Sequence, residues 1–244
     1  MVPRNFAHYH ETELLQSDCQ VLSALEITLG RIPRIDDIFK SDIPFGFVAA
    51  GNLITALALT NHGIKQLPPC IGGLKGLEIL DLSENNITKL PEEMQNLSNL
   101  KELILDANRI SNIPDFPSLE RLYWGMNQVI TIPDPIWNMK TLQYLDLSEN
   151  RIEAIPEEIG ALVNLIELNL AGNKLKTLPA SIGSLSRLKR LLIDTNNLKS
   201  VPATLGQLKE LVLLLLEGNP LNKMVEEEKK SLESLKAQGC KFKF

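Results

Sequence analysis

The sequence predicts an α/β solenoid, a curved horseshoe with a parallel concave sheet of about eight repeats, a helix-hairpin cap before them and a helical cap after them. Two observations predict this fold. A leucine pattern recurs at a spacing of 23 residues, as between Leu77 and Leu100 and between Leu142 and Leu165. In most copies an asparagine and a proline follow at fixed offsets, which is typical of a chain that turns back after every short strand.

The first element is a predicted N-terminal cap over residues 1–52. An open solenoid needs such a cap because its first coil exposes leucines and unpaired backbone groups. Within FGFVAAGNLITALAL, Gly51 and Asn52 predict a two-residue turn between two strands of a hairpin. An amphipathic helix that ends at Gly30 is predicted from apolar residues at Leu14, Leu15, Leu22, Leu25 and Leu29.

The repeats are predicted over residues 53–224. Alternation in the LxL segment turns the leucines of each short strand to one side, where the leucines of stacked neighbours form one core. Full burial of each leucine contributes roughly 1.5 to 3 kcal/mol. The copies begin at Ile54, Leu77, Leu100, Leu119, Leu142, Leu165, Leu188 and Leu211.

The motif LxxLxLxxNxLxxLP, as in LEILDLSENNITKLP from Leu77, resembles the leucine-rich repeat family. The PEEIGALVNL type of segment between strands is similar to its intracellular Ras-suppressor and Scribble-like class and to related prokaryotic proteins. The resemblance covers residues 54–224. It implies a small-GTPase or signalling-scaffold partner.

Asparagine recurs at one position of the repeat, because a side-chain amide can satisfy turn backbone groups that would otherwise be buried without a partner. We therefore interpret these asparagines as structural. His62 takes the same position in the first repeat and is interpreted as a structural variant. The asparagines are Asn85, Asn108, Asn127, Asn150, Asn173, Asn196 and Asn219.

One repeat is short, since Leu119 follows Leu100 by 19 residues instead of 23. Here PDFPSL replaces the longer segment on the outer side of the coil. The repeat that follows, from Leu119, carries Trp124 at an inward leucine position and Trp137 in its outer segment. We interpret both indoles as packing residues that fill the vacated volume.

The last element is a predicted C-terminal cap over residues 225–244. Its amphipathic helix places Val225, Leu232 and Leu235 against the last coil and ends at Gly239. In the CKFKF tail, alternation predicts that the Phe242 and Phe244 side chains point inward.

Residues between the inward leucines face the concave side, where a partner is expected to bind. Tyr123 and Tyr144 fall on neighbouring strands beside Arg121, and Tyr and Arg are frequent binding hot spots. Gly125 is interpreted either as an opening for a partner side chain or as a tight turn. The candidate partner-binding residues are Asp81, Glu102, Ile104, Arg121, Tyr123, Tyr144, Asp146, Arg190, Leu192, Leu213 and Leu215.

Apolar residues gather on the predicted concave side of the last repeats. Exposed apolar patches mark interfaces, so this patch predicts a partner site. Equally, the CKFKF segment or a second copy of the chain covers it. The residues are Ile166, Leu192, Val212, Leu213 and Leu215.

Composition restricts the classes of partner and the compartment. A net charge of -5 and a pI near 5.4 argue against nucleic acid, and the sequence offers neither a signal-peptide core nor a long uncharged apolar run. Three widely spaced cysteines favour free thiols in a reducing compartment. We therefore expect a cytoplasmic monomer or weak homodimer that does not bind membranes.

The sequence carries no strong sign of catalysis. Phosphate-binding loops, nucleophile elbows and HExxH helices are missing, and His8 and His10 have no ligand partners at suitable spacing. Asp81 and Asp146 fall three strands apart, about 14 Å, which is too far for paired-carboxylate chemistry. We expect no enzyme, cofactor or metal. The alternative function is a regulatory or sensor subunit that binds a peptide or small ligand beside Tyr123, Tyr144 and Gly125.

Overall fold

The computed structural model describes residues 6–9, 11–40 and 44–243. The chain forms two compact units, Met1–Leu119 and Glu120–Phe244, and their boundary falls at the start of the repeat that follows the short one. Both units are built from short parallel strands of successive repeats, and each contributes one cap that contains a helix. The fold class is therefore the predicted solenoid.

The first unit begins with an antiparallel pair of strands and a helix, and its parallel strands follow an antiparallel hairpin. Its 3-10 helices are Ile38–Lys40, Pro69–Gly73 and Glu92–Asn96. Its longer elements are β1 (Phe6–Tyr9), β2 (Thr12–Leu15), α1 (Gln16–Leu29), β3 (Phe45–Ala50), β4 (Leu53–Leu59), β5 (Ile79–Asp81) and β6 (Glu102–Ile104).

In the second unit, the parallel strands pair in chain order and a helix precedes the last strand. Its 3-10 helices are Asp134–Asn138, Glu157–Ala161, Ala180–Ser184 and Ala203–Gln207. Its longer elements are β7 (Arg121–Tyr123), β8 (Tyr144–Asp146), β9 (Glu167–Asn169), β10 (Arg190–Leu192), β11 (Leu213–Leu215), α2 (Glu226–Ala237) and β12 (Lys241–Lys243).

Stacked leucines form the core of each unit, as predicted. Leu80 pairs with Leu103 in the first unit, and Leu145 pairs with Leu168 in the second. All four are almost fully buried. Because strand neighbours in register point the same way, every coil adds its leucines to the same apolar column.

The conserved spacing of asparagine produces a hydrogen-bonded ladder, which confirms its structural interpretation. Asn173 Oδ1 accepts the Ile152 backbone N–H at 2.9 Å, while Nδ2 donates to the Leu147 carbonyl at 2.8 Å. Asn85 binds Ile64 and Leu59 in the same way. Asn173 and Asn85 therefore each join their own turn to the preceding coil.

A residue with positive φ stands directly before each ladder asparagine and turns the chain out of the strand. Gly172 and Gly218 adopt this left-handed conformation easily because they lack a Cβ atom. At the other positions a side chain is held in it, including the β-branched Thr195 at φ 53°. The remaining non-glycine positions are Glu84, Ala107, Met126 and Glu149.

The short repeat lacks the 3-10 helix that the other repeats before the last one carry on their outer side, since residues 109–119 contain none. Phe116, inside the PDFPSL segment, is fully buried. Trp124 is also fully buried and Trp137 nearly so, which places both indoles inside as predicted. Sequence reasoning missed the packing role of Phe116.

The N-terminal cap differs from its prediction at one boundary. Leu14 and Leu15 belong to β2, and the helix begins only at Gln16 because Thr12–Leu15 pairs with β1. Gly30 ends the helix at φ 74°, and the hairpin turns at Gly51, both as predicted. Asp18 of α1 is buried, and its Oδ2 accepts the Ile54 backbone N–H at 2.9 Å, which ties the helix to the hairpin.

At the other end, Leu232 and Leu235 of α2 are buried as predicted, but Val225 is 59% exposed. Val225 is the residue immediately before the helix, so its side chain does not share the apolar face, and this prediction was wrong. Gly239 follows α2 at φ 91°. Phe242 lies in β12 opposite Leu214, while Phe244 lies outside the described residues.

Candidate protein-binding face

Alternate residues of the parallel strands form two rows on one face of the sheet in the second unit, which we call the unit-2 face. Because the strands pair in register, each row follows the pairing from strand to strand. The first row is Arg121, Tyr144, Glu167, Arg190, Leu213 and Lys241. The second is Tyr123, Asp146, Asn169, Leu192, Leu215 and Lys243.

Two of the predicted hot-spot residues contact each other on this face. The guanidinium carbon of Arg121 lies 5.2 Å from the centroid of the Tyr144 ring, within the range of a cation–π interaction. Both side chains, like Tyr123, are half-buried. The pair presents a flat aromatic surface of fixed orientation, which a partner contacts at a low cost in side-chain entropy.

The acidic side chains of this face are bound within the chain. Asp146 Oδ1 accepts the backbone N–H and the hydroxyl of Ser148 at 2.8 and 2.6 Å, and its Oδ2 accepts the Asn169 amide at 2.8 Å. Glu167 pairs with the Arg190 Nε at 3.3 Å. The predicted binding residues Asp146 and Arg190 therefore each have a polar partner on the neighbouring strand β9.

Beyond that network the face becomes aliphatic. Leu192, Leu213 and Leu215 are half-buried and form a surface that we call the leucine patch. The CKFKF segment does not lie across it, because Lys241–Lys243 pairs edgewise with β11 as an additional parallel strand. Of the two sequence alternatives, cover by the described part of this segment is therefore wrong.

Gly125 is the second residue after β7 and is buried. Its carbonyl accepts a hydrogen bond from Asn127 Nδ2 at 2.8 Å. The left-handed residue of this turn is Met126, at φ 51°, and not the glycine. Because Gly125 is buried, it offers little surface to a partner side chain.

The first unit presents the other three predicted partner-binding residues. Glu102 and Ile104 are half-buried on β6. Asp81, in contrast, is only 6% exposed, and its Oδ1 accepts the backbone N–H and the hydroxyl of Ser83 at 2.9 and 2.7 Å. The Asp81 carboxylate stabilises its own turn and offers little surface to a partner.

Residues 33–40, which we call the strap, lie over part of the sheet in the first unit, a feature that sequence reasoning missed. Ile38 is 2% exposed and forms one buried cluster with Ala56 and Ala58 of β4. Ile79 of β5 packs against the same cluster. The sequence signal was small: alanine occupies both outward positions of β4, which leaves room for Ile38.

The strap also covers the edge of the hairpin. The Ile35 backbone N–H donates to the Phe47 carbonyl at 2.8 Å, and the Phe47 N–H donates to the Pro33 carbonyl at 3.0 Å. These bonds occupy backbone groups that an edge strand would otherwise expose to other chains. The strap thus completes the N-terminal cap and occupies part of the face.

His62, at the ladder position of the first repeat, has a structural environment. Its Nδ1 lies 2.6 Å from the Thr60 carbonyl, which corresponds to the bond from Asn85 Nδ2 to the Ser83 carbonyl in the next repeat. The imidazole stacks on the Phe45 ring, with centroids 3.9 Å apart. Among the described residues, no group of three His, Cys, Asp or Glu side chains is arranged to hold a metal ion.

The thiols are all in the free state. Cys19 and Cys240 are buried and Cys70 is exposed. Burial raises the pKa of the Cys19 and Cys240 thiols above their ordinary value, and partial desolvation does the same for the exposed Cys70. A raised pKa lowers the fraction of thiolate, the nucleophilic form, at neutral pH. In the part of the chain that is described, no helix is both long and apolar enough to cross a membrane.

Two family models match the sequence. A leucine-rich repeat region matches residues 132–242, and a leucine rich repeat matches residues 53–110. Together these matches extend over the repeats of both units. Among curated proteins, no sequence matches.

Three solved structures illustrate the similarity. A leucine-rich repeat protein of Leptospira interrogans is 32% identical with a TM-score of 0.63, over 78% of this chain and 54% of that chain. The leucine-rich repeat ectodomain of the plant membrane receptor kinase GASSHO1/SCHENGEN3 from Arabidopsis thaliana, in complex with Casparian strip integrity factor 2, is 26% identical with a TM-score of 0.73, over 94% of this chain and 29% of that chain.

Internalin C2 from Listeria monocytogenes is 23% identical with a TM-score of 0.66, over 91% of this chain and 89% of that chain, and at this identity it shows the fold alone. The chain spans about half of the Leptospira protein and less than a third of the receptor ectodomain.

Proposed function

Because the chain belongs to the leucine-rich repeat family, we propose that it is a non-catalytic module that binds a protein partner on the unit-2 face. The receptor ectodomain to which it is similar is itself in complex with a protein factor, which supports a role in protein interaction. Fold alone does not assign function, so the proposal depends on the side chains of the face.

The observation that carries the proposal is the continuity of this face. An arginine–tyrosine pair lies at one end and the leucine patch at the other, and between them lie two polar pairs, Asp146 with Asn169 and Glu167 with Arg190. Ordered aromatic and aliphatic groups between satisfied polar groups are typical of the centre of a protein interface. Little of this surface has to reorganise before a partner binds.

The test is affinity capture from a lysate with the full chain, compared between two double variants. Arg121→Ala with Tyr144→Ala removes the cation–π pair, whereas Val163→Ala with Arg187→Ala removes exposed side chains outside the two rows of the face. We expect the first double variant to lose the specific partners and the second to retain them. If both variants capture the same proteins as the natural chain, the unit-2 face is not the binding site.

The resemblance to the Ras-suppressor and Scribble-like class supports a narrower proposal, in which the partner is a small GTPase or a signalling scaffold and the site of action is the cytoplasm. A panel of purified small GTPases in both nucleotide states, measured by biolayer interferometry, tests the first half. Sedimentation velocity of the free chain tests the expected monomer or weak homodimer. If no GTPase of the panel binds in either nucleotide state, the small-GTPase proposal is wrong and the protein-binding proposal stands.

A further inference from the structure

We propose, on the basis of the binding function above, that the leucine patch and the lysines of β12 form a docking surface for a partner segment in which acidic residues flank aliphatic ones. The partner segment therefore contains both acidic and aliphatic residues. Its aliphatic side chains cover Leu192, Leu213 and Leu215, and its carboxylates reach Lys241 and Lys243.

The pairing of the last strands places these groups together. Leu213 is opposite Lys241 and Leu215 is opposite Lys243 in the parallel register of β11 and β12. Leu214, between the two leucines, is fully buried, so the flanking side chains point to the opposite face of the sheet. The lysines therefore border the leucine patch on the same face, one strand spacing of about 4.8 Å away.

The charges at this end differ from those in the middle of the face. Arg190 and Asp146 already bind acidic or amide groups of neighbouring strands. In contrast, Lys241 and Lys243 are exposed, and neither has an ion-pair partner among the described residues. Two lysines two residues apart on a strand lie about 7 Å from each other, a spacing that matches alternate side chains of an extended segment.

Acidic residues also border the leucine patch, at the carboxyl ends of its two strands. Asp194 and Glu217 each stand two residues after a leucine of the patch, namely Leu192 and Leu215. Carboxylates of the partner are repelled from this border and attracted to β12. We therefore expect the acidic residues of the partner to be on the side of its segment that faces β12.

The lysines have a competing explanation. Lysine on an edge strand prevents edge-to-edge pairing with other chains, and β12 is the last strand of its sheet. Under that explanation the lysines protect solubility and make no contribution to the choice of partner. The composition of bound peptides distinguishes the two explanations. A docking surface selects acidic and aliphatic residues, whereas edge protection selects no particular composition.

The experiment selects phage-displayed random dodecapeptides on the full chain and on two charge-reversal variants. Lys241→Glu with Lys243→Glu alters the docking surface. Lys230→Glu with Lys236→Glu makes the same change of net charge on exposed positions of α2. The selected peptide is then synthesised, and its affinity for each protein is measured by fluorescence anisotropy at low and high salt.

We expect peptides from the natural chain to be enriched in Leu, Ile or Val together with Asp or Glu. Their affinity should fall by about tenfold in the β12 variant, and by much less in the α2 variant, since attraction at exposed lysines becomes repulsion. High salt should weaken binding to the natural chain. Selection on the β12 variant should recover basic peptides.

Three results overturn the inference. Peptides enriched in basic residues, peptides that bind the β12 variant unchanged, or no enrichment at all each remove the docking surface. Unchanged peptide binding with self-association of the β12 variant would assign the lysines to edge protection. If the affinity of the selected peptides falls when Tyr144 is substituted but not when the lysines are, only this inference fails. If it falls neither on substitution of Tyr144 nor on substitution of Leu213, the proposed function fails as well.

Discussion

The backbone N–H of Gly206 donates a hydrogen bond of 2.8 Å to the hydroxyl of Ser231, which joins the last 3-10 helix to the capping helix α2. Ser231 is buried, although serine in a charged helix usually faces water. The contact shows how a polar residue fixes the C-terminal cap on the repeats.

This bond predicts a measurable role for one hydroxyl. Ser231→Ala should lower the free energy of unfolding by about 1 kcal/mol, because the Gly206 N–H loses its acceptor. Ser234→Ala, at an exposed position of the same helix, is the matched control and should have a much smaller effect. Urea denaturation followed by circular dichroism measures both, and equal losses would contradict a special role for Ser231.

Trp124 and Tyr123 are sequence neighbours on opposite sides of the sheet. Trp124 is fully buried and Tyr123 is half-buried on the unit-2 face. Trp124→Ala should therefore destabilise the protein by about 3 to 5 kcal/mol, and Tyr123→Ala by far less. Thermal unfolding compares the two variants. A similar loss of midpoint temperature for both would mean that the side chains do not differ in burial.

The asparagine ladder predicts a similar contrast between adjacent residues. Asn196 Oδ1 accepts the Leu175 N–H at 2.9 Å and Nδ2 donates to the Leu170 carbonyl at 2.9 Å, whereas Asn197 is exposed. Asn196→Ala leaves buried backbone groups without partners and should cost roughly 1 to 3 kcal/mol per group. Asn197→Ala serves as the control. Hydrogen exchange of the Leu175 amide should accelerate only in the first variant.

The strap predicts that a single isoleucine holds the N-terminal cap over its face. Ile38→Ala removes a buried side chain and should cost about 2 to 5 kcal/mol, while Phe39→Ala affects a side chain that is 57% exposed. The amide hydrogens of Ile35 and Phe47, both hydrogen-bonded in the strap, should then exchange with solvent faster in the Ile38 variant alone. Unchanged protection of both amides would show that the strap does not depend on Ile38.

Asp18 predicts a pH dependence of stability. Burial raises the pKa of this carboxyl above its ordinary value, although hydrogen bonds from Ile54 and Ser17 oppose the shift. Since the folded state holds the proton more tightly than the unfolded state, the contribution of Asp18 is complete below the ordinary carboxyl pKa. It is lost as the pH rises through the raised folded value.

Asp18→Asn keeps an oxygen acceptor for the Ile54 N–H and removes the ionisation. The variant should therefore lose less stability than the natural chain as the pH rises from about 3 to 7. Asp36→Asn, at an exposed position, is the control. Urea unfolding at a series of pH values measures the difference, and parallel curves for the natural chain and the Asp18 variant would contradict it.

The repeat spacing was sufficient to predict the leucine core and the asparagine ladder, because both depend on contacts that recur identically in every coil. Ile38 could not be predicted in this way, since its partners Ala56 and Ala58 lie outside any periodic relation to the strap. Val225 was misplaced because one residue at a helix start decides whether a side chain joins the apolar face.

The candidate site shows a comparable division. Tyr144 and Arg121 lie on the expected side of the sheet because strand alternation determines direction. Asp81 and Asp146 occupy the same position of an identical LDLSEN motif, yet Asp81 is buried and Asp146 is half-buried. Their strand neighbours differ, with Ala58 beside Asp81 and Tyr123 beside Asp146, so the motif alone does not determine burial.

The left-handed residues before the ladder asparagines are positions at which the stability of this protein can be increased. Glycine at Thr195 or Glu149 would relieve backbone strain in a turn without altering the rows that meet a partner. Stability and partner binding therefore depend on different positions of the repeat. Substitutions in these turns, natural or engineered, can change the unfolding temperature of the protein without changing which partner it binds.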